Sequence, residues 1–253
     1  MINSFSEEDC KRLLTVMLLT DGYFGFVNGC YPKFAYYSND SILLDIFEKL
    51  FLKAYGMKRS HRGASEVYYK QISPCTNAYS DLTATCGDFN KKTCPDLHFL
   101  STCNREVRRF ALRLGMSAEG YVSVSRKDNG SLRTLLGFAC ANEKLGEAWA
   151  KLFRDEGVNM RLRRDAHVST GIHGIETVAH DDIIAFERFG GFLDGVRIQK
   201  GKRFKGVDKN AVLRACVAFI KRIREKQLRG YTADSDAVFW NRIGEEIDRA
   251  MQG

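Results

Sequence analysis

The sequence predicts an α/β chain built from two tandem copies of one unit, with helices added at the C-terminus. Three observations predict it. Two stretches, Leu14-Thr15-Val16-Met17-Leu18-Leu19-Thr20-Asp21-Gly22 and Leu112-Arg113-Leu114-Gly115-Met116-Ser117-Ala118-Glu119-Gly120, each read as an apolar helical stripe ending in one acid and then a glycine. Each is followed at once by an aromatic, alternating run of strand character, Tyr23-Phe24-Gly25-Phe26 and Tyr121-Val122-Ser123-Val124. The two acids stand 98 residues apart in a chain of 253, which leaves room for one unit after each motif and a tail beyond. A repeat that keeps a carboxylate at a helix end brings two carboxylates together across a pseudo-twofold axis. That is a device for holding metal ions over a twofold-like substrate.

The first unit, residues 1–98, opens with a helix from about Ser6 to Asp21. Ser6 is its N-cap, Glu7, Glu8 and Asp9 suit the positive end of the helix dipole, and Leu13, Leu14, Met17 and Leu18 form the buried face. Gly22 is expected to end it with a positive φ. Strands follow near 23–28 and 33–37, with Gly29 and Pro32 at the turn. A helix from Ser41 to Tyr55 carries Leu43, Leu44, Phe47, Leu50, Phe51 and Ala54 on its apolar side. Strands near 65–72 and 77–85 come next, then a linker over 86–98 marked by Gly87, Asp88, Asn90 and Pro95.

The second unit, residues 99–195, repeats the order. A helix over Asn104–Glu119 carries Val107, Phe110, Ala111, Leu114 and Ala118 on one face. Gly115 inside it costs about 1 kcal/mol relative to alanine, which a closely approaching backbone would explain. Strands near 121–126 and 131–140 flank the hairpin signal Lys127-Asp128-Asn129-Gly130. A helix over Glu143–Glu156, strands near 158–164 and 172–178, and a helix over Asp181–Phe189 close the unit. Residues 196–253 form a basic loop and two helices, about Lys209–Arg229 and Ser235–Met251, whose apolar stripes read as packing surfaces.

Composition narrows the function. Hydrophobic residues make up 44% and charged residues 28%, as in a soluble globular protein. The formal net charge of +8 favours a polyanionic partner, nucleic acid before an anionic membrane. No apolar run approaches the ~20 residues of a membrane span, and the N-terminus lacks a signal peptide's basic start. An intracellular location is therefore expected, cytoplasmic and nucleoid-associated in a prokaryote. The eight cysteines include no C-x-x-C pair, which argues against a zinc knuckle, and the histidines lack metal-ligand spacing. No dinucleotide fingerprint, P-loop or G-x-S-x-G elbow is present.

The two motifs, in this order of helices and strands, resemble the LAGLIDADG homing endonucleases in their single-chain, double-motif form. The resemblance covers nearly the whole chain. Its most diagnostic parts are the ends Asp21-Gly22 and Glu119-Gly120. Phe192-Leu193-Asp194-Gly195, followed by a basic loop and Asn210-Ala211-Val212-Leu213, is similar to the family's approach to its post-core helix. Thr15, Val16 and Arg113 depart from the small residues usual in the motif helices. The resemblance implies two pseudo-symmetric αββαββα halves, motif helices packed at the centre, and curved antiparallel sheets offered to the DNA major groove. It implies an intron-encoded monomer that cuts both strands of a long asymmetric duplex across the minor groove.

The same residues support that chemistry independently. A carboxylate at a helix C-terminus adds charge to the dipole's negative end, and two such ends repel unless a cation lies between them. Oxygen donors suit Mg²⁺, which activates water and stabilises the leaving oxygen in phosphodiester hydrolysis. Asp21 and Glu119 are thus the expected metal ligands and catalytic acids. The family places a lysine near each cut phosphate. The resemblance points to Lys205 in the second half, ahead of Lys200 and Lys202, and to Lys92, beside Lys91, in the first. Strand alternation turns Asn159, Arg161 and Arg163 away from the helices, with Met160 and Leu162 facing them. Tyr23, Tyr121, Ser123, Ser125, Arg126 and Arg133 take similar positions, and with Lys200 and Lys202 they complete the expected DNA-contacting set. Each of these charges taken singly also fits a solvated surface.

Two other functions remain open. One is a non-cleaving nucleic-acid binder on the same fold, an intron RNA maturase or transcriptional regulator. The cost of holding two carboxylates against a polyanion argues against it. The other is a basic scaffold that binds membranes or partners through its tail helices, whose core-like stripes argue against it.

Overall fold

The computed structural model describes residues 2–27, 29–58, 60–70, 72–90, 93, 96–126, 132–165, 172–199, 203–224 and 236–252. A 3-10 turn (Ile2–Ser4) leads into α1 (Glu7–Leu19). Ser6 caps it reciprocally: its hydroxyl accepts from the Asp9 N–H at 3.1 Å, and the Asp9 carboxylate accepts from the Ser6 N–H at 3.1 Å. Then come β1 (Gly22–Val27), β2 (Tyr31–Tyr37), α2 (Ser41–Tyr55), β3 (His61–Arg62), β4 (Glu66–Tyr69) and α3 (Ile72–Cys86). Asp40 caps α2 through the Ile42 N–H at 3.0 Å, and Gly56 stops it at φ 65°.

α3 replaces the strand expected over 77–85. Its buried positions Cys75, Ala78 and Leu82 are spaced three and four residues apart, a helical period that Pro74, Thr76, Thr83 and Thr85 obscure in the sequence. With α3 in place the first unit has the αββαββα order of the second. A short α4 (His98–Ser101) leads into that second unit, which comprises α5 (Arg105–Glu119), β5 (Gly120–Arg126), β6 (Leu132–Ala139), α6 (Glu143–Asp155), β7 (Arg161–Arg164), β8 (Ile172–Thr177) and α7 (His180–Arg188). The tail adds α8 (Lys209–Arg224) and α9 (Asp236–Gln252), which pack on each other.

Each unit carries one four-stranded antiparallel sheet, ordered β1-β2-β4-β3 and β5-β6-β8-β7. One face of each sheet is packed on helices: Phe34, Tyr36, Val67 and Tyr69 in the first, Val122, Leu136, Phe138 and Ile175 in the second, all buried. α1 packs against α5, and Val16, Met17, Leu112 and Met116 are fully buried. Gly115 is needed for a different neighbour from the one expected. A Cβ there would meet the rings of Trp149 at 3.1 Å and Phe138 at 3.3 Å rather than a backbone. Arg113, the bulkiest departure in the motif helices, donates from Nη2 to the Phe192 carbonyl at 2.9 Å and so holds the chain after α7 against α5.

Seven described cysteines, Cys10, Cys30, Cys75, Cys86, Cys103, Cys140 and Cys216, are free thiols, and Cys94 lies outside the described residues. No described helix is long and apolar enough to cross a membrane.

Candidate functional site

Both motifs end in the same way. α1 stops at Leu19, Thr20 closes its last turn with an N–H to Val16 and Met17 carbonyls at 3.2 Å, and Asp21 precedes β1. α5 runs to Glu119, and Gly120 opens β5. Neither motif glycine takes a left-handed φ, contrary to expectation for Gly22; Gly120 sits at φ −86°. Space is what requires them. A Cβ on Gly22 would collide with Leu18 Cα and lie 2.7 Å from the Met17 carbonyl oxygen. One on Gly120 would collide with the Met116 carbonyl oxygen and lie 2.9 Å from Met116 Cα. The glycines let each strand fold straight back against its own helix end, which sets the acid at the corner. Gly22→Ala or Gly120→Ala is expected to cost roughly 1–3 kcal/mol of stability by chemical denaturation, as overpacking does.

The two corners open on one cavity of about 950 Å³, lined by Asp21, Asp40, Ser117, Glu119, Tyr121 and Lys209 among others. Lys209, the first residue of α8, is buried at 8% exposure. Its Nζ donates to the carbonyls of Ser117 at 2.9 Å and Gly120 at 2.8 Å, the open acceptors at the end of α5. Burial pulls the Lys209 ammonium down to about 8, against the opposing pull of Asp40, Asp21 and Glu119. Burial likewise pushes the Tyr36 phenol well above its usual range, with Asp21, Glu119 and Asp40 adding to the push. Both motif acids therefore act on the same buried groups. Asp40 also ties the first unit to the loop before α8: besides capping α2, its Oδ2 accepts from the Arg197 N–H at 2.9 Å.

The sheet faces turned away from the helices differ chemically. On the first, Tyr23 is 48% exposed, Lys33 Nζ lies 4.2 Å from the Tyr68 ring centroid, and His61 stacks on Tyr68 at 4.7 Å. On the second, Tyr121, Gly137, Glu176 and Arg161 form one cross-strand row, and Arg163 pairs with Glu176 at 3.1 Å.

Comparison with solved structures identifies the arrangement. A double mutant of I-SmaMI superposes with TM-score 0.53 at 10% identity, covering 96% of this chain and 98% of that chain. The I-SmaMI LAGLIDADG homing endonuclease bound to cleaved DNA gives 0.51 at 11% identity, covering 86% and 90%. The chain has the LAGLIDADG fold. I-DmoI in complex with DNA and Mn gives 0.49 at 13% identity, covering 73% and 97%. No family model matches the sequence, and no curated protein does so significantly.

Within the LAGLIDADG fold the expected site residues are placed as follows. Asp21 and Glu119 lie at the ends of the two packed motif elements and line one cavity. Lys205 is exposed in the loop before α8 and does not line that cavity, whereas Lys209, four residues on, does. A signal for Lys209 was present in the sequence. A lysine in the first turn of a helix opposes the dipole, so its position there needs another reason. Lys92, Lys200 and Lys202 lie outside the described residues, as does Lys91. Tyr121, Ser123, Ser125, Arg133, Arg161 and Arg163 share the outer sheet face, and of Arg126 only the backbone, in β5, is described. Asn159 is a correction. It precedes β7, and both its backbone and side-chain N–H groups donate to Asp182 Oδ1, at 2.9 and 3.1 Å, so it fastens α7 rather than joining the face. His61 and Tyr68 were missed because β3 and β4 are too short for alternation to be visible, whereas Lys33 lies in β2, where a strand was expected, and was not singled out.

Proposed function

We propose that this chain is a site-specific DNA endonuclease that cuts both strands of a long duplex target as a monomer, residues 1–98 and 99–195 each serving one half-site. The observation that carries the reading is the pair Asp21 and Glu119, set at the ends of two packed helices on one cavity that also holds the buried Lys209. A structural protein gains nothing from paired carboxylates at helix C-termini, where the dipoles disfavour them.

Among the described residues no three His, Cys, Asp or Glu side chains form a metal cage. Two carboxylates fit Mg²⁺, the cation proposed here, because it takes one or two from a protein and fills its shell with water and phosphate oxygens. Bound by Asp21 and Glu119, it would supply the activation of water and the stabilisation of the leaving oxygen. The chain's own part is to hold the duplex on the two outer sheet faces and place each scissile phosphate at its acid. Lys209 keeps a positive charge beside the developing negative charge and fixes the turn that bears Glu119.

The test is cleavage, with and without Mg²⁺, of a plasmid library carrying candidate intron-insertion sequences. Uncut DNA despite tight, specific binding would favour the non-cleaving binder. The basic faces lead to a further expectation. Duplex affinity should fall steeply with salt through counterion release, and Arg161→Ala or Arg163→Ala should each weaken binding by ~1–3 kcal/mol if the side chain reads a guanine. A salt-independent affinity would point to the scaffold instead.

A further inference from the structure

The tail helix α9 reaches the cavity that holds the two acids. Trp240 of α9, with Phe204 and Arg203 from the loop before α8, lines that cavity together with Asp21 and Glu119. The Arg203 guanidinium carbon lies 3.7 Å from the centre of the Trp240 ring. Phe204 meets the same indole edge-on, with centroids 6.0 Å apart and planes at 61°. Arg203 is exposed, and no described carboxylate pairs with it. Arg197 lines the same cavity; its backbone is tied to Asp40, and its Nη1 donates to the Gly206 carbonyl at 3.1 Å. The cavity lining thus includes the carboxylates of Asp21, Asp40 and Glu119 and, from the loop before α8, two guanidiniums with no acidic partner among the described residues.

An arginine stacked on an aromatic face is held in place while the N–H donors on its edge stay available. That edge matches the two free oxygens of a phosphodiester. A guanidinium serving only to fasten α9 would be expected to find one of the chain's carboxylates as well. We propose that Arg203 is a phosphate-binding residue for the duplex, and that Trp240 is a positioning residue acting through it, so that the C-terminal helix takes part in substrate binding. The inference rests on the endonuclease reading and deepens it: one DNA phosphate is held from the tail, at the cavity that the acids also line.

The experiment measures affinity for a random-sequence duplex as a function of salt, for the wild-type protein, Arg203→Gln, Trp240→Leu, Trp240→Phe and the Arg203→Gln/Trp240→Leu double variant. Arg203→Gln should weaken binding about tenfold and lower the slope of log affinity against log salt by about 0.9, the share of one phosphate. Trp240→Leu should give the same change, the double variant no more than either, and Trp240→Phe should stay near wild type. A packing defect in α9 would lower the melting temperature without changing the salt slope in this matched way. Arg203→Gln leaves the aromatic packing intact, so it decides the question even if Trp240→Leu unfolds the tail. A wild-type slope in Arg203→Gln, or additive losses in the double variant, overturns the inference alone. A wild-type protein without duplex affinity overturns both it and the endonuclease reading.

Discussion

Asp21→Asn and Glu119→Gln are each expected to abolish double-strand cleavage while duplex affinity stays equal or rises. Each replacement keeps the shape of the side chain at its corner, so Gly22 and Gly120 still turn the chain and the motif helices still pack. What changes is one charge. If these carboxylates hold the cation as proposed, losing one would remove that hold and with it the activation of water and the stabilisation of the leaving oxygen, an expected loss of roughly 10³-fold or more in rate. Binding moves the other way, because a carboxylate facing phosphates repels them and an amide does not. Single-turnover cleavage and equilibrium binding, measured separately on one duplex, separate the two effects. Full-rate cleavage by either variant would falsify the assigned role of that acid.

Lys209→Met is expected to slow single-turnover cleavage by about 10²–10³-fold, the usual worth of one preorganised charge donor, while Lys205→Met stays near the parental rate. The same ammonium leaves a signature in stability. Burial lowers Lys209 from its ordinary 10.5 to about 8. The unfolded chain keeps that proton up to about pH 10.5 and the folded chain only to about pH 8. Between those values the unfolded state binds more protons, so folding stability gains as pH rises. Below pH 8 the folded protein bears the whole cost, about 3 kcal/mol on the usual conversion. Lys209→Met cannot titrate there. The stability difference between parental protein and variant should therefore drift in the parental protein's favour from pH 8 to pH 10. A difference that stays constant over that range would mean that Lys209 is not held as a buried, titrating ammonium. Equal damage from Lys205→Met would return the role to the exposed loop.

What was legible in the sequence was local chemistry. Ser6 announces a helix start through its own side chain and caps as expected, and Asn104, where the second motif helix was expected to begin, also caps, accepting from the Val107 N–H at 2.9 Å. The helix Ser41–Tyr55 has clean stops in Asp40 and Gly56 and matches its expected bounds. The acid-glycine pairs were visible because they repeat. What was not legible depends on contacts between distant segments. Pro74 and several threonines disguise α3, whose helical character comes from burying Cys75, Ala78 and Leu82 against the rest of the first unit. Lys205 and Lys209 are both lysines in a basic stretch. Only the docking of α8 against the end of α5 makes one of them solvent-exposed and the other a partner of Ser117 and Gly120. Asn159 fits strand alternation, yet it serves Asp182, which is 23 residues away in sequence.

The measurement that tests the central claim most directly is linear-product formation from a supercoiled plasmid carrying the chain's insertion sequence. It is made at fixed Mg²⁺ for the parental protein and for the Asp21→Asn/Glu119→Gln double variant, with binding followed on the same sequence. The parental protein should linearise the plasmid only when Mg²⁺ is present, and the double variant should bind the duplex and leave it uncut. Linear product from the double variant, or binding without any cleavage by the parental protein, contradicts the claim that these two carboxylates are the working centre of a DNA endonuclease.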